Sequence, residues 1–598
     1  MPTVPIETLR ALMVALLALP AAAAVVVALL GPRRGPAIRW LSLGTTVATL
    51  VIAVILSASF YEIRGRHKER VEKEPKDSPT VNTFRPEFVP GATEEFPHET
   101  TWNLIQFKKR PDLGPEAAKD HLSKFYAIQF YIGLDGINVW LLLLTAVLLV
   151  PSVLISWTAI EERVNEYYAW LLALGTAMLG VFVAFDIILF YVFFELTLVP
   201  LFFLIGIWGG TEKRRAARKF FIYTLAGSLI TLLGVLAVVL VQHEKGEGHP
   251  LNFSIPELVR YVNQTLLDDA PGDRAFWQSF QFWVFLALIA GFAIKVPLVP
   301  VHTWLPLAHT EAPTAGSVLL AGVLLKIGAY GFLRLCLPLA PDACIQVGVP
   351  LIGTLAVIGI IYGALCAGAQ DDIKKLVAYS SVSHLGFCLL GMFAFNQAGL
   401  AGSLLQMINH GLSTGALFLI VGMLYERYHT RQISAYGGMG ARLGVLTACM
   451  VFICLSSIGL PGLNGFVGEA LVFLGMYQKE PGLAILGTAG IVLGAWYLLS
   501  MVRLVFFGPV KEPPYAEHGP RGDLNGREAA ALVPIMVLCV VLGVFPQPVL
   551  DTSKADLQLV AETIARRQPP RTAPAAPVGL KGTESPRVAT RGLETRGD

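Results

Sequence analysis

The 598-residue sequence predicts an all-α polytopic membrane protein of about fourteen transmembrane helices. Three observations predict it. Only 15% of the residues are charged, against about 25% in a soluble domain, while 54% are hydrophobic and mean hydropathy is +0.60. The charges are segregated: residues 60–130 hold 24 and residues 551–598 hold 14, leaving 51 for the other 479 positions. That remainder divides into apolar blocks of the roughly 20 residues that a hydrocarbon core about 30 Å thick requires.

The blocks fall at 6–31, 39–59, 133–156, 167–185, 187–208, 219–241, 277–298, 313–337, 345–369, 376–396, 400–425, 444–475, 484–507 and 530–549. The first has Ala-rich stretches like those of a signal peptide. It is read as a retained helix because it runs from residue 6 to 30, has only Arg10 near its start and is soon followed by a second run. Helices four and five form one run too long for a single span, and they divide at Asp186. Residues 60–130, rich in Pro, Glu and Lys, read as a polar outer-face insertion that is either poorly ordered or a small docking element. Residues 131–166 carry the third helix and its loop, and 511–550 a loop and helix fourteen. The tail 551–598, with Pro569, Pro570, Pro574 and Pro577, is expected to be disordered on the outer face.

Short-loop charges set the orientation. Lys213, Arg214, Arg215, Arg218 and Lys219 follow helix five, and Arg33, Arg34 and Arg39 follow helix one, so both turns face the cytoplasm. Alternation puts 370–375 and 426–442 on that side, and leaves 243–276, with three bases and six acids, outside with both termini. Net charge of +3 with alternating signs offers no face for nucleic acid. The seven cysteines (Cys336, Cys344, Cys366, Cys388, Cys449, Cys454, Cys539) lie in or beside apolar runs and read as small core residues. No CxxC or HExxH motif suggests a metal, iron–sulfur or haem site.

Ionisable groups at membrane depth are costly and mark function by default. Glu195 lies near the middle of helix five with no base one turn away, so its partner comes from another helix or it is protonated. A structural carboxylate bonded to neighbouring hydroxyls is the alternative. Lys326 is about fourteen residues into helix eight, too deep to reach water with ease. Lys295 stands at the end of helix seven, where a lysine can snorkel, but Pro297 and Pro300 follow it directly and apolar sequence continues to Leu307. A helix broken there holds Lys295 inside the protein.

His384 and His410 have polar company at helical spacing: Ser380 and Ser381 before the first, Gln406, Ser413 and Thr414 around the second. Thr224, Ser228 and Thr231 make a further stripe on helix six, which serves equally well as helix-packing glue. Such stripes with water conduct protons but supply no metal cage or electron carrier. Glu469 follows a second break, GLPGLNG at 459–465. The two broken spans are five helices apart, an odd offset that reverses direction, so helices four to eight (167–340) and nine to thirteen (341–510) read as inverted repeats.

Several motifs are specific: GLDGI at 133–137, FYVFFELTLVPLFFLIGIWGG at 190–210, KFFIYTLAGS at 219–228, KVPLVPVHTWLPLAHTEAPTAGSVLLAGVLLKIGAYGFLR at 295–334, DIKKLVAYSSVSHLG at 372–386 and GLPGLNGFVGE at 459–469. Together they closely resemble the antiporter-like, proton-pumping subunit M (chain 4) family of respiratory complex I. The resemblance spans roughly 130 to 550. It implies that Glu195 and Lys295 are the family's coupled pair, Lys326 its central lysine, His384 and His410 its axis histidines, and Glu469 its terminal carboxylate, where related N and L subunits typically carry lysine. Leu307 departs from the polar residue usual in WLPDAH, and residues 60–130 have no assigned counterpart. The resemblance further implies a subunit of a proton-translocating NADH:quinone oxidoreductase in a bacterial-type inner membrane, beside L-type and N-type subunits. NADH, flavin, iron–sulfur clusters and quinone are expected in partner subunits, with no cofactor in this chain. A subunit of a multisubunit sodium/proton antiporter is the alternative, and an inactive membrane scaffold a third reading.

Overall fold

The computed structural model describes residues 4–71, 83–107, 127–245, 251–265, 274–517, 519–520 and 522–567. The helices are α1 (Ile6–Leu29), α2 (Gly35–Val71), α3 (Asn138–Ala159), α4 (Val164–Val183), α5 (Ile187–Leu196), α6 (Leu198–Trp208), α7 (Lys213–Lys245), α8 (Ile255–Thr265), α9 (Arg274–Lys295), α10 (Leu305–Glu311), α11 (Thr314–Leu339), α12 (Pro341–Gly368), α13 (Ile373–Met392), α14 (Gln397–Tyr428), α15 (Gly444–Ser457), α16 (Asn464–Lys479), α17 (Pro481–Phe506), α18 (Gly526–Val544) and α19 (Gln547–Ala565). Among the described residues twelve helices are long and apolar enough to cross a membrane, which makes this a multi-pass membrane protein. The two expected spans outside that set are α13, which carries the SSVSH stripe, and 444–475, which is split into α15 and α16.

Each interruption has a local cause. Between α4 and α5 the Asp186 carboxylate accepts from Ile188 N at 2.9 Å and Leu189 N at 3.0 Å, capping α5, and from Gln129 N at 2.9 Å. The irregularity at Thr197, between α5 and α6, lies one turn before Pro200, which has no N–H for the Leu196 carbonyl. The expected seventh helix stops at Lys295 and resumes as α10 at Leu305. Between α15 and α16 the chain turns through Gly459 and Gly462, with φ of +76° and +91°, a region open to glycine. Within α11, π-helical turns at Leu320–Leu324 and Phe332–Cys336 flank Lys326.

One boundary is refined and one expectation corrected. In the polar segment from residue 60, α2 continues to Val71, and β1 (Asn103–Gln106) pairs antiparallel with β2 (Ala127–Gln129). Thr83 Oγ1 donates to the Pro256 carbonyl at 2.9 Å, and Phe84 and Val89 are buried, so the described part packs down as a cap. The tail is not disordered from 551, because α19 extends to Ala565 and buries Val549, Leu557, Val560 and Ile564 on one face. Proline density, the signal for disorder, begins only at residue 569, outside the described residues. Asp556 of α19 accepts from Gly136 N at 2.9 Å and pairs with Arg64 of α2 at 3.0 Å, tying the strap to the starts and ends of other spans.

Candidate functional site

The two spans enclosed entirely by other helices are α11 and α14, and they carry Lys326 and His410. Their backbones meet at glycines. A Cβ added at Gly411 would stand 2.8 Å from the Gly322 carbonyl oxygen, so the absence of a side chain at 411 permits the approach, while one at Gly322 would meet Leu148 of α3. One residue before Gly411, His410 turns its Nδ1 to Lys326 Nζ at 2.6 Å. Lys326 also donates to the Ala321 carbonyl, which the π-helical turn leaves without its usual α-helical partner. Lys326 is fully buried and His410 is 2% exposed.

Lys295 reaches this centre through a third glycine. Gly328, two residues after Lys326, lies against Lys295 Cβ, Val296 and the Phe292 carbonyl, so the last turn of α9 packs directly on α11. The Lys295 ammonium donates to Thr197 Oγ1 at 3.0 Å and sits 4.4 Å from the Phe194 ring centroid. It therefore contacts Phe194 and Thr197, on either side of Glu195, rather than Glu195 itself, whose Oε1 is buried without a hydrogen-bond partner. Ser228 and Tyr191 flank the Glu195 carboxyl, which gives one member of the predicted hydroxyl stripe on helix six a definite contact.

The other end is formed by α13, α14 and α16. His384 Nδ1 is 3.5 Å from Glu469 Oε1, and the His384 and His410 ring centroids are 5.6 Å apart. Gln406 Nε2 donates to the same Glu469 oxygen at 3.1 Å. Gly468 gives Gln406 and Asn409 room to approach, and Gly459 faces Glu469 Oε2 at a spacing that a methyl group would reduce to 2.9 Å. Asn409 Nδ2 donates to the Asn464 carbonyl at 2.5 Å, fixing the start of α16. Five of the six residues singled out in the sequence are buried, Lys295, Lys326, His410, His384 and Glu469, and the half-buried Glu195 stands beside Lys295 at one end of the row they form.

Sequence reasoning missed several neighbours of this row. His309 is fully buried, stacks on Phe418 at 4.6 Å, and has neither ring nitrogen hydrogen-bonded. Lys374 is buried, with Nζ donating to the Ala312 carbonyl at 2.5 Å, although its place beside Asp371, Asp372 and Lys375 made it look like a loop charge. Arg334, eight residues after Lys326, forms a fully buried pair with Asp135 at 2.5 Å and bonds Tyr330 at 3.0 Å. Arg427 makes a second buried pair, with Glu528 at 2.7 Å. The available signal for Arg334 and Arg427 was a charge inside or beside an apolar block. Among the described residues no group of three His, Cys, Asp or Glu side chains could hold a metal ion.

Comparison with known proteins follows the same outline. Residues 184–494 match the family described as NADH:quinone oxidoreductase/Mrp antiporter, TM. The chain is 37% identical over 539 residues to NADH-quinone oxidoreductase subunit M of Rhodobacter capsulatus, covering 89% of this chain and 93% of that protein. A chain of respiratory complex I from Thermus thermophilus superposes with a TM-score of 0.71 at 27% identity, covering 92% of this chain and 99% of that one. A chain of the Mrp complex from Dietzia sp. shares the fold at TM-score 0.70 and 18% identity, covering 94% and 98%. The subunit M identity over most of both chains, with the family match across the spans that hold the buried row, places this protein in the NADH:quinone oxidoreductase/Mrp antiporter family as a relative of subunit M.

Proposed function

We propose that the chain is a proton-translocating membrane subunit of an NADH:quinone oxidoreductase and that the buried row carries the proton. The observation that carries this reading is the contact of Lys326 Nζ with His410 Nδ1 at 2.6 Å, inside the two most enclosed spans. An ammonium that donates to a neutral ring nitrogen is a proton donor already aligned with its acceptor. Opposite-charge approach favours a charged lysine. Closing Lys295 on Glu195 therefore holds its proton, and separation, as seen in its bond to Thr197, favours release toward Lys326. His410 and His384 then relay the proton to Glu469, whose carboxylate faces His384. One unit of pKa corresponds to about 1.4 kcal/mol, so modest movement of a carboxylate suffices to transfer a proton.

The driving energy arrives from redox chemistry in partner subunits, including L-type and N-type neighbours. In this reading no redox site lies in this chain, the two five-helix halves are inverted repeats, and both termini face outward from a bacterial-type inner membrane. The shared face of the 211–219, 370–375 and 426–442 loops supports that orientation: Ile373 N bonds the Arg431 carbonyl at 2.9 Å, and Lys213, Glu426 and His429 line one cavity. The test is Lys326→Ala and Glu195→Gln in the assembled enzyme in proteoliposomes. Both are expected to lower proton translocation per electron. Wild-type translocation in both variants refutes the proposal, and sodium-dependent exchange without NADH oxidation supports the antiporter alternative.

A further inference from the structure

Beyond the buried row, toward the face that carries the cap, α11 opens a polar column. Tyr330 and Arg334 stand four and eight residues after Lys326, which puts Arg334 about 12 Å further along the axis. Tyr330 OH accepts from Arg334 Nε at 3.0 Å and donates to the Phe182 carbonyl at 3.0 Å. The Arg334 guanidinium pairs with Asp135, just before the start of α3. The next residue, Gly136, donates its N–H to Asp556 of α19, and Asp556 pairs with Arg64, whose side chain is 19% exposed. Polar groups thus run from one turn past Lys326 to the protein surface, a column that would carry protons if water filled it. We propose that the Arg334–Asp135 pair is a proton seal, which keeps protons on the buried row from exchanging with water at the cap. The seal rests on the proton-carrying reading of the row and adds to it a barrier.

Three features make the pair a seal rather than a relay. The first is dryness. Arg334, Asp135 and Tyr330 are fully buried. The guanidinium carbon lies 4.4 Å from the ring centroid of Phe84, which belongs to the cap, 5.0 Å from that of Phe185 and 5.2 Å from that of Tyr330. Aromatic faces take the place of water around the cation. The second is saturation. Asp135 Oδ1 accepts from Arg334 Nη2 at 2.7 Å and from Ile137 N and Asn138 N at 3.0 Å, while Oδ2 faces Arg334 Nη1 at 2.5 Å. A carboxylate engaged on both oxygens, with no exposed surface, is a poor acceptor for an arriving proton.

The third is the choice of cation. An arginine keeps its proton in a protein, so it neither receives one nor passes one on, and its fixed charge repels a proton arriving from either side. A lysine in the same place gives up its proton far more readily and can join a relay. The row is built from residues that exchange protons, and the column beyond it is interrupted by one that does not. Packing closes the column further out: a Cβ at Gly136 would stand 2.2 Å from the Thr552 carbonyl oxygen and 2.7 Å from Asp556 Oδ2, so the α19 strap lies directly on the GLDGI turn. Stability alone does not account for the pair, because apolar side chains of similar volume commonly match or exceed a buried ion pair. A barrier that needs a fixed charge does account for it.

The test measures passive proton leak through the assembled enzyme in proteoliposomes, as the decay of an imposed pH gradient without NADH. Arg334→Lys keeps the charge on a group that can exchange protons, and Arg334→Gln with Asp135→Asn keeps polar side chains without charge. Both are expected to speed the decay roughly tenfold over wild type. Adding Lys326→Ala to either should restore the wild-type rate, because the leak runs through the row. Wild-type decay in either assembled variant overturns the seal, and so does a leak that persists with Lys326→Ala. The wild-type enzyme gives a measurement that needs no variant: a water-soluble carbodiimide with an amine should label the exposed Glu94 and Glu95 and spare Asp135. Labelling of Asp135 overturns the seal even if no variant assembles. Wild-type decay in the seal variants, with translocation lost in Lys326→Ala alone, overturns the seal and leaves the row in place. Wild-type translocation in Lys326→Ala removes the underlying reading.

Discussion

Gly328→Ala offers a sharp test of how the buried row is spaced, because it adds a methyl group without removing any polar atom. That methyl would lie 2.8 Å from Lys295 Cβ and from Val296 Cγ2, and 2.9 Å from the Phe292 carbonyl oxygen. Ordinary contact begins at 3.4 Å, so the last turn of α9 must retreat by about 0.6 Å. Turning the Lys295 side chain cannot relieve the contact, since the methyl meets the first carbon of that side chain and a backbone oxygen. Overpacking of this kind costs about 1–3 kcal/mol, a fraction of the 5–15 kcal/mol typical of a folded protein, so the subunit should fold and assemble. The retreat moves Lys295 away from α11 and Lys326. Misplacement by about 1 Å costs up to about 100-fold at a reacting pair, so a shift of half that size should slow coupled translocation roughly tenfold. The assay is proton uptake per NADH oxidised in proteoliposomes, with Gly44→Ala, at a position open on all sides, as control. Unaltered translocation in Gly328→Ala, at normal assembly, would refute the claim that this contact sets the spacing of the two lysines.

Other sites give independent expectations. Asp135→Ala leaves Arg334 fully buried and unpaired, which costs about 3–5 kcal/mol, so native gels should show loss of the subunit from the complex, while Asp135→Leu with Arg334→Met should recover it. Gly459→Ala puts a side chain at φ +76° and a methyl 2.9 Å from Glu469 Oε2; strain of about 1–2 kcal/mol should lower the melting temperature and translocation together, and an unchanged melting curve would count against it. Glu469→Gln removes the charge facing His384 at 3.5 Å and should reduce translocation while electron transfer through a proton-leaky membrane stays near normal. A chain ending at residue 546 loses Asp556 from Gly136 and Arg64 and should assemble poorly; normal yield would show the strap to be dispensable.

The spans were legible because membrane burial demands long apolar runs, and the breaks because proline and glycine remove or redirect backbone hydrogen bonds. Asp186 marked its break correctly, since a charge in an apolar run has few uses other than a cap or a site. The six row residues were visible for the same reason. His309 was not, because WLPLAH at 304–309 places it in a corner whose neighbour, Phe418, is more than a hundred residues away. Lys374 was hidden by its charged company in the sequence, and only the fold of 310–314 over it reveals its burial. Arg334 and Asp135, 199 positions apart, meet through tertiary packing alone. The helical part of the tail was obscured by averaging its composition with the proline-rich stretch that follows.

The distances along the row are set less by its ionisable residues than by the small residues beside them. Lys295, Lys326, His384, His410 and Glu469 lie on five separate helices, and helix axes usually pack 8–10 Å apart, too far for short side chains to touch without close crossings. At several junctions a glycine supplies the room: Gly328 under Lys295, Gly411 against Gly322 beside His410, and Gly468 under Gln406 and Asn409, while Gly459 of the turn before α16 faces Glu469. Polar substitutions therefore change what a position can hold, and glycine substitutions change only how far a proton must travel. The two should differ in solvent isotope response. A lengthened gap makes proton transfer itself limiting, so a glycine variant should show a larger slowing in D2O than wild type, whereas loss of a relay group should lower translocation equally in both solvents. If glycine variants show the wild-type isotope ratio at reduced rate, the spacing they control is not on the proton's path.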